Sequence, residues 1–434
     1  MILKTIYRLF GSLLFSGLFS ISNAQPTIEL TTFNNFYSFI ALFISEHTPK
    51  TIKLNGVKYT SLKIEVQKPF ENPILITSKN SDSSLNYSST YFSKNADEGF
   101  DGTFSCPLQI FDTPQTELTI DWGNFEGFVK IELFHAPKLE LVSANKNFKT
   151  SDRCSKPQMI SYSEWRAGLP DPKPPREATD VEHLVVHHSA GSNTDTNYIN
   201  IVRNIYLFHT QSNGWDDIGY NFLVAPNGVI FNGRDPQGVA DDDNILGAHF
   251  CGKNQNTMGV CMLGDFMKVR PTKKAIFSLK YLLAWKLKKN GINAFGQTKH
   301  PKNTGSLLNN LCGHRDGCST DCPGDSLYAL LPSIKAEAAR IADSCGLIIA
   351  NISFLKNKRV TIFPNPSKGA ITISYDNLIT TPIIMIYGLA GNLVYETSYT
   401  PNKPFEIPLS SGLYYFKILD NKSILFQGIL KIER

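Results

Sequence analysis

The chain has 434 residues, a length that accommodates two to four domains, and its 42% hydrophobic and 11% aromatic content marks a globular protein with packed cores. Forty-three Lys and Arg against 38 Asp and Glu leave a net charge of only +5. With no run of five like charges, the chain lacks the electrostatic footprint of a nucleic-acid binder.

Lys4 and Arg8 precede an apolar stretch over residues 9–21, and Ser22-Asn23-Ala24 offers a small-residue cleavage site before Gln25. This is the pattern of a signal peptide, residues 1–24. Thirteen apolar residues interrupted by Ser and Gly fall short of the roughly 20 that span a bilayer, and no later apolar run is as long. The expectation is an exported protein with no stable membrane span.

Residues 26–145 read as an all-β unit, a small sandwich of unassigned role. Residues 51–54 and 57–59 flank Asn55-Gly56 as a hairpin turn, and alternating runs recur at 62–66, 74–76, 118–122 and 128–133. Trp122, Phe125 and Phe128 are expected in its core. Residues 146–180 hold Pro157, Pro170, Pro172, Pro174 and Pro175, and read as a linker or wrapping arm.

Over 181–346 strands alternate with helices, which indicates a mixed α/β domain whose central sheet has helices on both sides. Strands are expected at 182–187, 220–224, 229–231 and 258–263, with Asn227-Gly228 turning the second into the third. Ile199, Val202, Ile205, Tyr206 and His209 keep helical spacing. A second helix starts at Pro271, lines one face with Ile276, Leu279, Leu283 and Leu287, turns Lys280, Lys286, Lys288 and Lys289 outward, and stops at Gly291. A third covers 326–342 with a kink at Pro332. After a linker at 347–359, seven short strands over 360–434 suggest a second small β-sandwich.

The chemistry is concentrated in the Gly-rich run Leu311-Cys312-Gly313-His314-Arg315-Asp316-Gly317-Cys318-Ser319-Thr320-Asp321-Cys322, where His314 and Cys322 stand eight residues apart. Upstream, the apolar run Leu184-Val185-Val186 ends in His187-His188, as a buried strand does when it opens into a site. Two His and one Cys are donors suited to zinc, and three protein ligands leave the fourth tetrahedral position open for catalysis. Each residue alone has a plainer reading: a core histidine for His187 and His314, a disulfide half for Cys322.

Together with Ser163-Glu164-Trp165, Trp215-Asp216-Asp217-Ile218-Gly219-Tyr220 and Gly247-Ala248-His249, these segments resemble the zinc amidases that include phage lysozyme-like amidases and peptidoglycan recognition proteins. The resemblance runs from about residue 160 to 342. It implies hydrolysis of the amide between N-acetylmuramic acid and L-alanine in peptidoglycan, with His187, His314 and Cys322 as zinc ligands. It further implies Tyr220 and Thr320 as catalytic residues, and places His249, Asn254, Arg234 and His188 along the substrate groove. Family members without the zinc cysteine bind muropeptides without cutting, so a non-catalytic recognition protein is the alternative. A closed structural metal site, with His188 or Cys318 as fourth ligand, is a third reading.

Eight cysteines in an exported chain raise the question of pairing, and Cys318 stands as a possible disulfide partner for Cys322. Phe363-Pro364-Asn365-Pro366-Ser367-Lys368-Gly369, Gly391, Ser411-Gly412-Leu413-Tyr414-Tyr415 and Ile429-Leu430-Lys431-Ile432 resemble the C-terminal sorting domain of the type IX secretion system. That resemblance implies the type IX machinery as a partner, passage through both membranes, and a secreted or cell-surface location. The substrate expected there is exogenous peptidoglycan.

Overall fold

A computed structural model describes residues 30–45, 51–70, 72–82, 84–94, 102–139, 155–174, 176–241, 243–299, 306–344, 360–375, 382–388, 391–420 and 423–434. The expected signal peptide, the 347–359 linker, Cys154 and Cys345 lie outside the described residues.

The central domain is built on β1 (His183–His188), β2 (Phe222–Val224), β3 (Ile230–Asn232), β4 (Thr257–Met262) and β5 (Leu311–Gly313), in the order β3-β2-β4-β1-β5. β1 lies between β4 and β5 and is parallel to both; β3 closes one edge antiparallel to β2. All six residues of β1 and all six of β4 are buried, as befits central parallel strands covered on both faces.

Because neighbouring side chains on a strand point to opposite faces, the sheet feeds separate cores. Leu184, Val186 and Val260 pack with Leu279, Leu283, Ile334 and Ala338 on one side, whereas Leu223 and Cys261 pack with Val202, Tyr206 and Trp165 on the other. Five helices supply these covers: α1 (Tyr162–Arg166), α2 (Tyr198–Leu207), α3 (Lys273–Asn290), α4 (Asp325–Tyr328) and α5 (Leu331–Ser344). α1 carries a capping box between Ser161 and Glu164, and its Trp165 donates from Nε1 to the Asn232 carbonyl at 2.6 Å. α3 starts after Thr272, whose side chain accepts from Ala275 N, and ends at Gly291 in the left-handed region, φ 63°.

Several expectations are corrected. The helix over 326–342 is two helices, α4 and α5, rather than one kinked rod. Pro332 falls in the first turn of α5, where its missing N–H breaks no helical hydrogen bond. Lys286 does not face out: it is fully buried, and its Nζ donates to the Asp243 carbonyl at 2.9 Å and to the Asn244 side chain. Charge alone suggested solvent, but the 243–244 segment packs over that part of α3 and offers acceptors.

Asn55-Gly56 forms no hairpin. Thr51–Val66 is a single 16-residue strand, irregular between Asn55 and Tyr59, where its pairing partners step only from Glu117 to Gln115. Phe128 is 48% exposed rather than core, set edge-on against Phe43 at 4.8 Å, while Trp122 and Phe125 are buried.

Among the described residues, the expected N-terminal sandwich appears as nine strands joined in one hydrogen-bonded sheet. The long strand Thr51–Val66 makes that continuity, pairing with Gln109–Asp121 along its earlier part and with Gly127–Phe134 along Ser61–Val66. At the C-terminal end, a three-stranded sheet (Val360–Phe363, Ala370–Tyr375, Pro404–Glu406) and a four-stranded sheet (Leu393–Ser398, Ile383–Tyr387, Gly412–Asp420, Ser423–Ile432) share a core of Ile371, Ile373, Ile384, Ile386, Phe416 and Ile418.

The N-terminal sheet docks on α2. Tyr37, Phe134 and Ala136 join the core that holds Val202, Ile205 and Tyr206. Thr60 Oγ1 donates to Asn204 Oδ1 at 2.8 Å, and buried Arg203 donates to the carbonyls of Trp165, Ala167 and Pro137 at 2.7 to 2.8 Å. Buried Glu132 accepts from Tyr37 Oη at 2.6 Å and Ser212 Oγ at 2.9 Å and pairs with Lys130 at 2.6 Å. Among the described residues no helix is long and apolar enough to cross a membrane.

Candidate metal centre

The parallel register brings the distant ligand segments together. Val186 on β1 pairs with Gly313 on β5, so His187, the next residue of β1, and His314, the first residue after β5, come level, their ring centroids 4.4 Å apart. The chain then loops back: Arg315 N donates to the Cys322 carbonyl at 3.0 Å, closing the loop that returns Cys322 beside His314. Asp316 holds the turn, accepting from Gly313 N at 2.7 Å and from Tyr328 Oη at 2.5 Å. Donor atoms of His187, His314 and Cys322 thus lie within 4.8 Å of one another.

This set fits zinc. Sγ of Cys322 is 3.6 Å from Nδ1 of His187, close to the separation of about 3.5 Å between an S and an N ligand on one tetrahedral zinc. The hydrogen-bond directions assign the tautomers behind it. Thr257 Oγ1 donates to the Asn254 carbonyl at 2.7 Å, so toward His249 Nε2, 3.3 Å away, it acts as acceptor and Nε2 carries the proton. His249 Nδ1 is then an acceptor and takes the Nε2 proton of His187 at 3.0 Å, leaving the Nδ1 lone pair of His187 toward Cys322. Burial, reinforced by His314, His249 and His188, pushes His187 well below the ordinary imidazole range. Burial likewise pulls His249 and His314 down to about 3, so all three rings are neutral, the form that ligates metal.

Alternation along β1 sends His188 to the other face. Its Nδ1 accepts from Phe266 N at 3.2 Å, and its contribution near the ligands is its backbone N–H, directed at Cys322 Sγ at 3.4 Å. The ring of Tyr220 lies 5.3 Å from that of His187 and 5.5 Å from that of His209. Thr320 Oγ1 accepts from Cys322 N at 3.2 Å, which leaves its hydroxyl proton directed elsewhere.

The remaining residues expected along the groove make internal bonds. Arg234 is buried, donating to the Leu246 carbonyl at 2.6 Å and paired with Asp216. Asn254 Oδ1 accepts from His249 N and Phe250 N, both at 2.8 Å, and shapes the loop that presents His249. The structure therefore gathers His187, His314, Cys322, Tyr220 and His249, with Thr320 on the ligand loop, and sets Arg234, Asn254 and the His188 ring in supporting contacts.

Cys318 is not paired with Cys322. It forms a disulfide with Cys251, which ties the His249 loop to the ligand loop, while Cys106, Cys261, Cys312 and Cys322 remain thiols. Sequence reasoning also missed Asn221, whose Oδ1 accepts from Gly259 N at 2.8 Å and whose Nδ2 donates to the Ile245 carbonyl at 2.6 Å, and His209, whose Nδ1 accepts from Gly219 N at 3.0 Å beside Tyr220. Only the helical spacing of His209, which lies in the π-helical turn Phe208–Ser212 after α2, was visible, and that read as core.

The central sheet thus delivers two neutral imidazoles and a thiol to one point, a donor group that could hold a metal ion within an α/β domain. Residues 177–325 match the N-acetylmuramoyl-L-alanine amidase family, and residues 361–431 match the secretion system C-terminal sorting domain. Peptidoglycan-recognition protein SC2 of Drosophila simulans is 31% identical over 172 residues, 39% of this chain and 82% of that protein. Peptidoglycan-recognition protein LE of Drosophila melanogaster is 36% identical over 128 residues, 29% of this chain but only 35% of that protein's length. Among solved structures, Drosophila PGRP-LB matches with 28% identity and a TM-score of 0.33, covering 41% of this chain and 93% of that one. The chain belongs to the family of N-acetylmuramoyl-L-alanine amidases and peptidoglycan recognition proteins, and it carries a type IX secretion sorting domain at its C-terminal end. That sorting domain implies export to the cell surface or secretion.

Proposed function

We propose that the protein is an exported, zinc-dependent N-acetylmuramoyl-L-alanine amidase acting on exogenous peptidoglycan. The observation that carries the reading is the His187–His314–Cys322 donor set, drawn within 4.8 Å, with Tyr220 beside it. Bound there, zinc would supply Lewis acidity and lower the pKa of a water toward 7.

The protein's own residues do the rest. The relay from His187 through His249 and Thr257 to the Asn254 carbonyl holds the His187 tautomer, and the His188 N–H steadies the Cys322 sulfur. Tyr220 Oη donates to the scissile carbonyl oxygen as negative charge develops there, and the Thr320 hydroxyl, whose oxygen already takes Cys322 N–H, donates to the same region. Arg234, Asn254 and the His188 ring act as positioning residues that set the groove's walls. An enzyme sorted past the outer membrane meets other cells' peptidoglycan rather than its own wall, which makes the substrate exogenous.

Mass spectrometry of muropeptides incubated with the full chain tests this, with zinc and after chelation. Zinc-dependent release of stem peptides with a free N-terminal alanine, abolished by Cys322→Ser, is expected. Binding of muropeptides without release would replace the enzyme with a non-catalytic recognition protein, and detection of the protein only in the periplasm would remove the exogenous substrate.

A further inference from the structure

His314 faces two sets of sulfur-bearing groups. On one side are His187 and Cys322. On the other, Nε2 of His314 lies 3.5 Å from Cys251 Sγ, and Cys251, His314 and Cys318 hold their donor atoms within 4.8 Å of one another. Cys251 and Cys318 are joined as a disulfide, whose sulfurs are poor metal donors, so in this state the ring serves only the first set. Two thiolates and an imidazole are, in contrast, a strong zinc donor set.

We propose that reduction of Cys251–Cys318 creates a second soft-metal site, Cys251–His314–Cys318, which takes zinc and competes with the first set for His314. The chemistry balances with an external dithiol as reductant. One of its thiolates attacks a sulfur of the pair, forming a mixed disulfide and expelling the other cysteine as a thiol. The second thiol of the reagent then closes its own ring disulfide and releases the remaining cysteine, so that two electrons and two protons pass to the protein. Metal binding then sends the two thiol protons to solvent while the His314 Nε2 lone pair completes the set.

Both cysteines are only half-buried, which lets a small dithiol reach them. They join segments 67 residues apart in sequence, the His249 loop and the ligand loop, and His314 sits between them. A neutral imidazole has one lone pair. When Nε2 serves the second set, Nδ1 carries the proton, and His187 and Cys322 are left as a two-ligand site. In its oxidised form the disulfide therefore reserves His314 for the first set.

The test uses the full chain with His187→Ala and Cys322→Ser, which removes the first set and leaves Cys251, His314 and Cys318 in place. Metal content after zinc loading is measured on the oxidised and the dithiol-reduced protein, and cobalt(II) substitution reports thiolate ligation by its charge-transfer absorption. We expect no stoichiometric zinc when oxidised, about one equivalent when reduced, and none again when Cys251→Ser is added. In the otherwise unaltered chain, reduction should raise thiolate-to-cobalt absorption about twofold or more, as one sulfur donor gives way to two or is joined by them. Equal zinc content in the oxidised and reduced double variant, with unchanged absorption in the unaltered chain, would overturn the proposal and leave the disulfide as a staple. Failure of the amidase reading looks different: the oxidised, unaltered chain would release no stem peptide from muropeptides, whatever zinc the reduced double variant takes.

Discussion

Gly259→Ala probes the support of His187 from a residue that touches neither metal nor substrate. Gly259 lies in β4 outside the left-handed region, so an alanine backbone is tolerated, but its Cβ would sit 2.6 Å from Cγ, 2.7 Å from Cδ2 and 2.8 Å from Nδ1 of His249. Ordinary contact begins at 3.4 Å, so the ring must retreat by 0.8 Å. Gly247 also lies close to the ring: a Cβ built there would stand 2.5 Å from its Cδ2. A retreat along the 3.0 Å bond to His187 stretches it to about 3.8 Å, beyond hydrogen bonding, and a sideways one spoils its angle. Losing a hydrogen-bond partner behind a metal-ligating histidine costs about 10- to 100-fold in metal affinity, or about 1.4 to 2.7 kcal/mol. Competition with a chromogenic chelator measures the zinc Kd of the full, oxidised chain. In a His249→Ala background the same glycine substitution should add little, because the ring it displaces is gone. Wild-type zinc affinity in a normally folded Gly259→Ala protein, or full additivity of the two changes, would refute the tautomer relay.

Other outcomes follow from the same contacts. Tyr220→Phe should lower kcat by about 10²- to 10³-fold while zinc content stays unchanged; loss of zinc in parallel would make Tyr220 structural. Lys130→Met should destabilise the chain by about 3 kcal/mol or more in urea unfolding, because Glu132 is left as a buried charge. Burial alone would raise the Glu132 carboxyl, but Lys130, Tyr37 and Ser212 outweigh it and hold it below the usual range. Adding Glu132→Gln should therefore recover part of that loss. Burial and Lys289 pull Lys286 down to about 7, against the opposing pull of Asp243 and Asp241. The unfolded chain then binds the extra proton between pH 7 and 10.5, so this residue's contribution rises with pH across that window and is lost below it. The stability difference between wild type and Lys286→Met should accordingly shift toward wild type from pH 7 to 9, by up to about 1.4 kcal/mol per unit; a flat difference would show that Lys286 stays charged.

The three donors that the structure draws together, His187, His314 and Cys322, could be singled out in the sequence because their signals are local. The apolar run Leu184-Val185-Val186 ending in His187-His188 and the eight-residue spacing of His314 and Cys322 each report chemistry within one segment. The alternation of strands and helices over 181–346 foretold a mixed sheet with two covered faces for the same reason: periodicity 2 and 3.6 are properties of neighbouring residues. Lys286 and Phe128 show where that reasoning stops. Whether a lysine on α3 meets water or the Asp243 carbonyl depends on a segment more than forty residues away, and whether a strand Phe is core depends on which face its neighbours cover.

Tertiary structure alone decided the partner of Cys318, because disulfide choice follows the distance between folded loops rather than sequence separation. It also decided that Arg234 and Asn254 bond inward and that the His187 tautomer rests on His249 and Thr257. Donor types and spacings are written along the chain. The tautomers, the packing behind the ligands and the sharing of His314 exist only once β1, β4 and β5 lie side by side, since each depends on atoms brought together from segments over sixty residues apart.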